Sequence, residues 1–250
     1  MQTDFPIPLT YLAERFMSFK QFKALTFDVV GTLIDFEAGI LSHVREVAGE
    51  AGQARSDDEI LKAYREARAL PDSGWWPDDL ERCYHLIAAK LGLPDNAEYA
   101  RGLALAVQNF PAFPDSVAAL KRLRKHFKLV ATTNSQIWAL DYMAKTLDEP
   151  FDVKVTVDDV RFEKPDPQFF AYTRGVLATQ GIVFEQILHV AQSQYHDIGV
   201  AVELGYQVCW IERRHAQKGS GGTLESAHTT PHYHYHSLAH LADAVEQELG

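Results

Sequence analysis

The stretch Ala24-Leu25-Thr26-Phe27-Asp28-Val29-Val30-Gly31-Thr32-Leu33 decides the fold of this chain. Its first four residues are apolar or favour β-structure, and a carboxylate and a glycine-containing turn follow them. Such a run is typical of a buried strand that ends in a loop. The sequence therefore predicts a strand over residues 23–29, with Asp28 near its carboxyl end.

Four later segments repeat this pattern, and helical patterns separate them. Strands that alternate with helices indicate an α/β fold, a Rossmann-like parallel sheet with helices on both faces. The further predicted strands cover residues 129–132, 153–157, 187–190 and 208–211. The predicted helices between them cover residues 115–126, 136–147, 166–179 and 197–204.

The segment between Phe36 and Asn109 has a different character. It contains several amphipathic helical patterns and no strand pattern, with breaks at Pro71-Asp72-Ser73-Gly74 and Leu93-Pro94-Asp95. We therefore expect an all-helical cap inserted after the first strand. The predicted division is an N-terminal extension over 1–16, a core over 17–35 and 111–250, and a cap over 36–110.

The composition narrows the functional classes. The 250 residues include 24 Lys and Arg against 34 Asp and Glu, and the formal net charge of −10 argues against a nucleic-acid or anionic-membrane partner. Two cysteines fit a reducing compartment. No apolar stretch reaches membrane-spanning length, and no signal-peptide pattern opens the sequence. We expect a cytoplasmic protein.

Polar residues follow four of the predicted strands. Ligands bind at the carboxyl ends of the strands in a parallel α/β sheet, so these residues are the candidates for a site. They are Asp28 and Thr32, Thr133 and Asn134, Lys164 in the run Glu163-Lys164-Pro165-Asp166-Pro167, and Gln192, Ser193 and Asp197. A carboxylate that attacks a substrate forms a covalent intermediate and divides one difficult step into two.

These four motifs are similar, in order and position, to those of the haloacid dehalogenase superfamily. The resemblance covers residues 23–213, and the helical segment stands where that superfamily has its cap. It implies that Asp28 is the nucleophile and that Lys164 holds it and offsets its charge. It also implies that Thr133 and Asn134 donate hydrogen bonds to the nucleophile or substrate, and that Asp197 positions water.

Two positions depart from the phosphatases of that superfamily. Val30 stands where they have a second Asp that protonates the leaving alkoxide, and Ala191-Gln192 stands where Gly-Asp completes a Mg²⁺ site. A halide leaving group needs no proton donor, and attack on carbon needs no metal to neutralise a phosphate. We therefore expect a metal-independent hydrolase with no cofactor.

The pattern is most similar to the 2-haloacid dehalogenase branch, which removes halide from small 2-haloalkanoic acids through an aspartyl ester. The backbone N–H groups of Val29 and Val30 would hold the developing oxyanion. Arg65 would meet the leaving group or the substrate carboxylate, with Arg68 one turn further as the fallback. The other expected substrate-binding residues are Thr32, Gln192 and Ser193.

Three alternative functions stay open. A side branch of the superfamily includes a hydrolase that opens azetidine-2-carboxylate, so C–N cleavage of a small cyclic amino acid is one, with His196 as a conceivable proton donor. A Mg²⁺-dependent phosphatase and a non-catalytic protein that binds small anions are the others. The resemblance also leaves a homodimer open.

Two further groups of residues have competing interpretations. Trp75, Trp76 and Trp138 would wall an apolar pocket or simply fill the core. The C-terminal histidines lack zinc-finger spacing and a HExxH helix, so we expect exposed, titrating side chains rather than metal ligands. These are His228, His232, His234, His236 and His240.

Overall fold

The strand that leads to Asp28 lies inside the sheet, with a neighbour on each side. A computed structural model describes residues 18–250, and within this range six strands form one parallel sheet in the order β3-β2-β1-β4-β5-β6. The strands are β1 (Ala24–Phe27), β2 (Lys128–Thr133), β3 (Val153–Thr156), β4 (Ile187–Ala191), β5 (Gln207–Ile211) and β6 (Tyr233–Tyr235). The predicted N-terminal extension lies outside the described residues.

Five of these strands agree with the prediction within two residues at either end. The first strand ends at Phe27, earlier than expected, because the Val29 carbonyl accepts hydrogen bonds from the N–H groups of Leu33 and Ile34 at 2.9 and 3.0 Å and so closes a turn. The sixth strand was not predicted. It has three residues, none of them buried, and therefore shows no apolar run.

Helices cover both faces of the sheet and fill the connection after β1. They are α1 (Phe36–Gln53), α2 (Asp57–Arg68), α3 (Leu80–Leu91), α4 (Ala97–Ala106), α5 (Ser116–Leu123), α6 (Ile137–Thr146), α7 (Val157–Val160), α8 (Pro167–Ala178), α9 (Gly199–Glu203) and α10 (Leu238–Leu249). The helix predicted from Asp197 starts earlier, as a π-helical turn over Gln194–Ile198 that leads into α9. The sequence prediction did not include α10.

Helices α1 to α4 form the helical insert between β1 and β2, as the sequence predicted. Capping groups mark their starts: the Asp35 carboxylate accepts from Ala38 N–H, and Ser56 and Glu59 form a capping box at α2. The insert contacts the sheet side where the Trp76 carbonyl accepts from Gln136 N–H at 2.8 Å. The exact domain boundaries stay predictions.

The order of the strands determines where a ligand can bind. The chain runs outward from β1 through β2 to β3 and then returns to the other side of β1 for β4, so the carboxyl ends of β1 and its neighbours surround a topological switch point. The sheet interior is apolar, and β1 and β4 are buried along their whole length. Among residues 18–250, no helix is both long and apolar enough to cross a membrane.

Candidate active site

A cavity of about 280 Å³ lies where the carboxyl ends of the central strands meet the helical insert. From the sheet side it is lined by Asp28, Val30, Thr133 and Lys164, together with others described below. The insert contributes aromatic and cationic side chains, and the loop after β5 contributes Gly222, Thr223 and Leu224. Most of the strand-end residues that the sequence singled out therefore share one space.

Asp28 is buried and held at both carboxylate oxygens. Its Oδ1 accepts a hydrogen bond from Lys164 Nζ at 3.1 Å, and its Oδ2 accepts one from Thr32 Oγ1 at 2.6 Å. Thr32 Oγ1 in turn accepts from Gln192 N–H at 2.8 Å. Thr32 thus orients Asp28 and does not line the cavity, so the structure differs from the expected substrate-binding role.

Lys164 has a partner for each proton of its ammonium group. In addition to Asp28, it donates to Asp197 Oδ1 at 2.6 Å and to the Thr132 carbonyl at 2.8 Å. Three acceptors around a buried nitrogen require the charged form. Asn134 fixes the loop that presents this lysine, because its Oδ1 accepts from Lys164 N–H at 2.7 Å and its Nδ2 donates to the Lys164 carbonyl at 2.8 Å.

These contacts show which groups of Asn134 and Thr133 remain available to a bound molecule. Asn134 gives one amide proton to the Lys164 carbonyl and so positions the lysine, while it also lines the cavity with its second amide proton left over. Thr133 Oγ1 accepts from Ser135 N–H at 3.2 Å, and its side chain still borders the cavity. Its hydroxyl proton therefore stays free to reach a bound molecule.

Asp197 lies at the cavity wall with one oxygen fixed and one oxygen unpartnered. Its Oδ1 accepts from Lys164 and lies 3.0 Å from His189 Nε2, while His189 Nδ1 lies 2.9 Å from Thr26 Oγ1. Its Oδ2 is buried and has no hydrogen-bond partner among the described residues. A buried, unpartnered carboxylate oxygen is costly, so this atom is a ready acceptor for water or substrate.

The pKa values of the two carboxylates in this cluster shift in opposite directions. Burial raises the pKa of Asp28, and the nearby charge of Asp197 adds to that effect while Lys164 opposes it. Burial also acts on Asp197, but Lys164 and His189 outweigh it and lower its pKa to about 2. Burial disfavours the charge of Lys164, yet the two carboxylates raise its pKa above the ordinary value.

The segment after β4 contributes further polar residues to the cavity beside Asp197, namely Gln192, Ser193, Tyr195 and His196. Gln192 lines it and accepts from Thr223 Oγ1 through Oε1 at 3.3 Å. Ser193 lines it too, and its Oγ accepts from His196 N–H at 3.0 Å, which caps the π-helical turn. Burial lowers the pKa of His196 to about 4, so this imidazole is neutral at pH 7 and a poor proton donor.

The arginine of the insert that reaches the cavity is Arg68. Its guanidinium donates to Asp79 and to the Gly74 carbonyl, and it lies 3.7 Å from Glu163, which also lines the cavity. Arg65, the residue expected there, instead donates to the Gly221 carbonyl and pairs with Glu225 at 3.1 Å. Arg65 therefore does not line the cavity, and Arg68, the fallback one turn further along α2, does.

Three aromatic side chains of the insert line the cavity. They are Phe36, Tyr64 and Trp76, all buried. Of the tryptophans considered from the sequence, only Trp76 lines this space. Trp75 stacks against Arg161, at 5.2 Å from guanidinium carbon to ring centroid, and Trp138 packs against the main hydrophobic core.

Several of these residues were not identified from the sequence. Phe36 and Tyr64 look like ordinary core positions of amphipathic helices. Two others carried a signal: Glu163 directly precedes Lys164, and His189 is the one ionisable residue of buried strand β4. The side chain of Val29 is fully buried and does not line the cavity, so only its backbone can serve the site.

The donor set does not fit a Mg²⁺ site of the kind that needs several free oxygen ligands. Both oxygens of Asp28 and Oδ1 of Asp197 already accept hydrogen bonds, and Lys164 Nζ stands between the two carboxylates. Gln192 offers an amide where a third carboxylate would stand. The arrangement instead presents an oriented, desolvated carboxylate to a small cavity.

Comparisons with known proteins show which family the chain resembles. The family model described as hydrolase, haloacid dehalogenase-like hydrolase matches residues 22–205. The (S)-2-haloacid dehalogenase of Pseudomonas sp. (strain YL) is 26% identical over 245 residues, covering 91% of this chain and 96% of that protein. The (S)-2-haloacid dehalogenase 4A of Burkholderia cepacia is 25% identical over 205 residues, covering 77% and 84%.

Solved structures show the same fold. The L-2-haloacid dehalogenase from Xanthobacter autotrophicus superposes with a TM-score of 0.72 at 20% identity, covering 90% of this chain and 98% of that one. The structure of that enzyme with chloropropionic acid covalently bound superposes with a TM-score of 0.68 at 19% identity, covering 90% and 98%. With the family model matching most of its length, this chain belongs to the haloacid dehalogenase-like hydrolases.

Proposed function

We propose that this hydrolase is a 2-haloacid dehalogenase, which replaces the halogen of a small 2-haloalkanoic acid by a hydroxyl group. One observation carries the proposal: Asp28 faces the cavity with both oxygens oriented, and the residue two positions on is Val30, which cannot donate a proton. Halide leaves without protonation, whereas an alkoxide does not. The names of the relatives described above support the same reaction.

In the first step a carboxylate oxygen of Asp28 attacks the carbon that bears the halogen. The new C–O bond forms as the C–halogen bond breaks, and the halide leaves with the bonding electrons. The result is an aspartyl ester with inverted configuration at that carbon. Lys164 and Thr32 hold the carboxylate for this attack, and the buried surroundings leave it poorly hydrated and reactive.

In the second step water attacks the carbonyl carbon of the ester. The ester C–O bond on the Asp28 side breaks, the 2-hydroxy acid leaves, and the second proton of the water passes to solvent. We assign the orientation of this water to Asp197 Oδ2, the unpartnered oxygen at the cavity wall. The backbone N–H groups of Val29 and Val30 would stabilise the oxyanion that develops on Asp28.

We assign recognition of the substrate to Arg68 and to three other polar side chains that line the cavity. Arg68 supplies a positive charge for the substrate carboxylate or the departing halide, and its planar fork suits a carboxylate. Thr133, Ser193 and Gln192 offer hydrogen bonds nearby. The cavity of about 280 Å³ suits an acid of a few carbon atoms rather than a large molecule.

A labelling experiment in H₂¹⁸O tests the mechanism directly. With enzyme in excess over (S)-2-chloropropionate, a single turnover should give lactate that carries no ¹⁸O, because its new oxygen comes from Asp28. Mass spectrometry of the digested enzyme should then find ¹⁸O in the peptide that contains Asp28. Labelled lactate in the first turnover would contradict the covalent intermediate. Asp28→Asn should release no halide while it keeps the circular dichroism spectrum of the unchanged protein.

Parallel substrates separate the proposal from its rivals. Halide release that is insensitive to EDTA supports it, and phosphate release from p-nitrophenyl phosphate that requires added Mg²⁺ would favour a phosphatase. Ring opening of azetidine-2-carboxylate needs a proton for the amine, and burial raises the pKa of Glu163 at the cavity wall. Glu163→Gln should therefore impair such ring opening more than dehalogenation.

A further inference from the structure

A second group of ionisable side chains gathers away from the cavity, beyond the carboxyl ends of β5 and β6. Glu212 directly follows β5, His215 lies in the turn after it, and His236 directly follows β6. Backbone hydrogen bonds join these segments, because Glu212 N–H donates to the Tyr235 carbonyl at 2.8 Å and His215 N–H donates to the Glu212 carbonyl at 3.0 Å. None of the three residues that carry this cluster lines the cavity around Asp28.

The side chains converge on one carboxylate oxygen. Glu212 Oε2 lies 3.2 Å from His215 Nδ1, 2.8 Å from His234 Nε2 and 3.7 Å from His236 Nε2. One ligand atom each of Glu212, His215 and His236 lies within 4.8 Å of the others. All three side chains reach solvent, so an ion can enter without any opening of the fold.

The neighbouring arginines do not pair with the Glu212 carboxylate. The two arginines that follow Glu212 in the chain are engaged elsewhere: Arg213 pairs with Asp115 at 2.7 Å, and Arg214 pairs with Glu37. An imidazole binds a metal ion through the lone pair of a ring nitrogen, and His215 and His236 each have a ring nitrogen within 3.7 Å of Glu212 Oε2.

We propose that Glu212, His215 and His236 bind one divalent transition-metal ion, with Zn²⁺ as the best fit. Two imidazoles and one carboxylate form a ligand set that Zn²⁺ accepts, with water completing the coordination. Mg²⁺ and Ca²⁺ prefer a shell of oxygen atoms, which this group does not offer. The site is separate from the proposed dehalogenation and does not depend on it.

His234 is the positioning residue of this site. It donates to the Glu212 carboxylate, and its ring stacks on Trp210 with centroids 4.5 Å apart and planes inclined by 22°. This packing fixes the direction of the carboxylate, as the outer partners of metal ligands generally do. The rings of His215 and His236 lie face to face, with centroids 3.4 Å apart. They must rotate apart on binding, because each lone pair lies in its ring plane.

Isothermal titration of the EDTA-treated full chain with ZnCl₂ tests the proposal. We expect one saturable site of micromolar affinity. Glu212→Gln, His215→Gln and His236→Gln should each weaken it by at least about tenfold, and His234→Gln should weaken it less. A titration with MgCl₂ should give no saturable heat.

His85→Gln is the matched control. His85 Nδ1 also lies close to a carboxylate, at 2.6 Å from Asp95 Oδ1, and both side chains are exposed. It belongs to no group of three ligands among the described residues, so its loss should leave the Zn²⁺ affinity unchanged. The proposal fails if no saturable binding occurs, if Mg²⁺ binds as tightly as Zn²⁺, or if the substitutions in the cluster act no more strongly than His85→Gln.

Discussion

Two arginines lie one turn apart on α2 and differ in what they contact. Arg68 borders the cavity with its guanidinium mostly buried, whereas Arg65 is tied to the loop that contains Gly221 and Glu225. A hydrogen bond to a charged group contributes about 1.5–3 kcal/mol when it is well desolvated. The two side chains are similarly exposed, at 16% for Arg65 and 14% for Arg68, so the two positions compare an arginine that lines the cavity with one that does not.

We expect Arg68→Met to lower kcat/KM for halide release from (S)-2-chloropropionate by about 10- to 100-fold. The reason is that the substrate carboxylate or the departing halide would lose its cationic partner. Arg65→Met should change kcat/KM by less than about threefold, because neither Arg65 nor its partners Gly221 and Glu225 line the cavity. Steady-state halide release measures both variants.

Stability has to be checked in the same experiment. Arg68→Met leaves Asp79 with Arg82, whose Nε donates at 2.6 Å and whose Nη2 donates at 2.8 Å, so this carboxylate keeps a charged partner. The midpoint of thermal unfolding should therefore still lie well above the assay temperature. Equal losses of kcat/KM in the two arginine variants would refute the assignment of Arg68.

Residue spacing explains why the sequence located the strand-end residues of the site but favoured Arg65 over Arg68 in the insert. Asp28, Lys164 and Asp197 each follow a predicted strand. Because the carboxyl ends of parallel strands lie at the same edge of a sheet, the strand pattern was enough to predict that these residues lie close together. Arg68 reaches the cavity from a helix of the insert, whose rotation depends on packing. A shift of one turn along α2 keeps the same helix face, and no strand register constrains it.

Two elements pack very closely where α1 meets the chain that returns from the insert. A Cβ atom added at Gly39 would lie 2.2–2.5 Å from ring atoms of Phe110, a side chain that is 2% exposed. Glycine is required there for close approach rather than for backbone freedom. Gly175 in α8 offers the opposite case, because nothing lies within 4 Å of its added Cβ.

We expect Gly39→Ala to lower the free energy of unfolding by about 1–3 kcal/mol, since α1 or Phe110 must move. Gly175→Ala should raise it by about 0.5–1 kcal/mol, because alanine loses less backbone entropy in a helix. Urea denaturation followed by circular dichroism measures both changes. If Gly39→Ala proves as stabilising as Gly175→Ala, the packing of α1 on Phe110 is not as described.

The ends of a strand were predictable where the strand is buried, because burial requires a run of apolar residues. The buried strands have long apolar runs and were found within two residues. Strand β6 has only three residues at the sheet edge and contains a histidine between two partly exposed tyrosines, so no apolar run revealed it. The π-helical turn before α9 was missed because a single extra residue per turn leaves no trace in hydrophobic spacing.

At the scale of the whole molecule, a buried polar chain links β1, β4 and the Lys164 loop. It runs from Thr26 through His189 to Asp197 and on to Lys164. The folded pKa of Asp197 is about 2, below the 3.8 of an ordinary Asp. The ionised form therefore stabilises the fold by about 2 kcal/mol above about pH 5, and this contribution is lost as the pH falls through about 4 toward 2.

We expect His189→Phe to lower the free energy of unfolding more at about pH 7 than at about pH 3, because it removes a donor that favours the ionised Asp197. Burial raises the pKa of Asp28 and so acts in the opposite direction, but that group is common to both proteins and cancels in the comparison. Urea denaturation at the two pH values measures the difference.

Thr26→Val is the matched control for this experiment. It removes the other hydrogen bond of His189 and leaves the contact with Asp197 in place. Its effect on the free energy of unfolding should be similar at both pH values. A His189→Phe effect that is equally independent of pH would mean that His189 does not hold Asp197 in its ionised form.

The central position of β1 also governs the order in which the protein can assemble during synthesis. The partners of Ala24 are Lys128 and Ile187, so this early strand has no neighbour until much later segments leave the ribosome. The helices of the insert pack on one another and are complete before either partner strand is made. A nascent chain therefore carries Asp28 long before Lys164 and Asp197, which equip it for attack, and its carboxylate stays inert until both of these residues have been made.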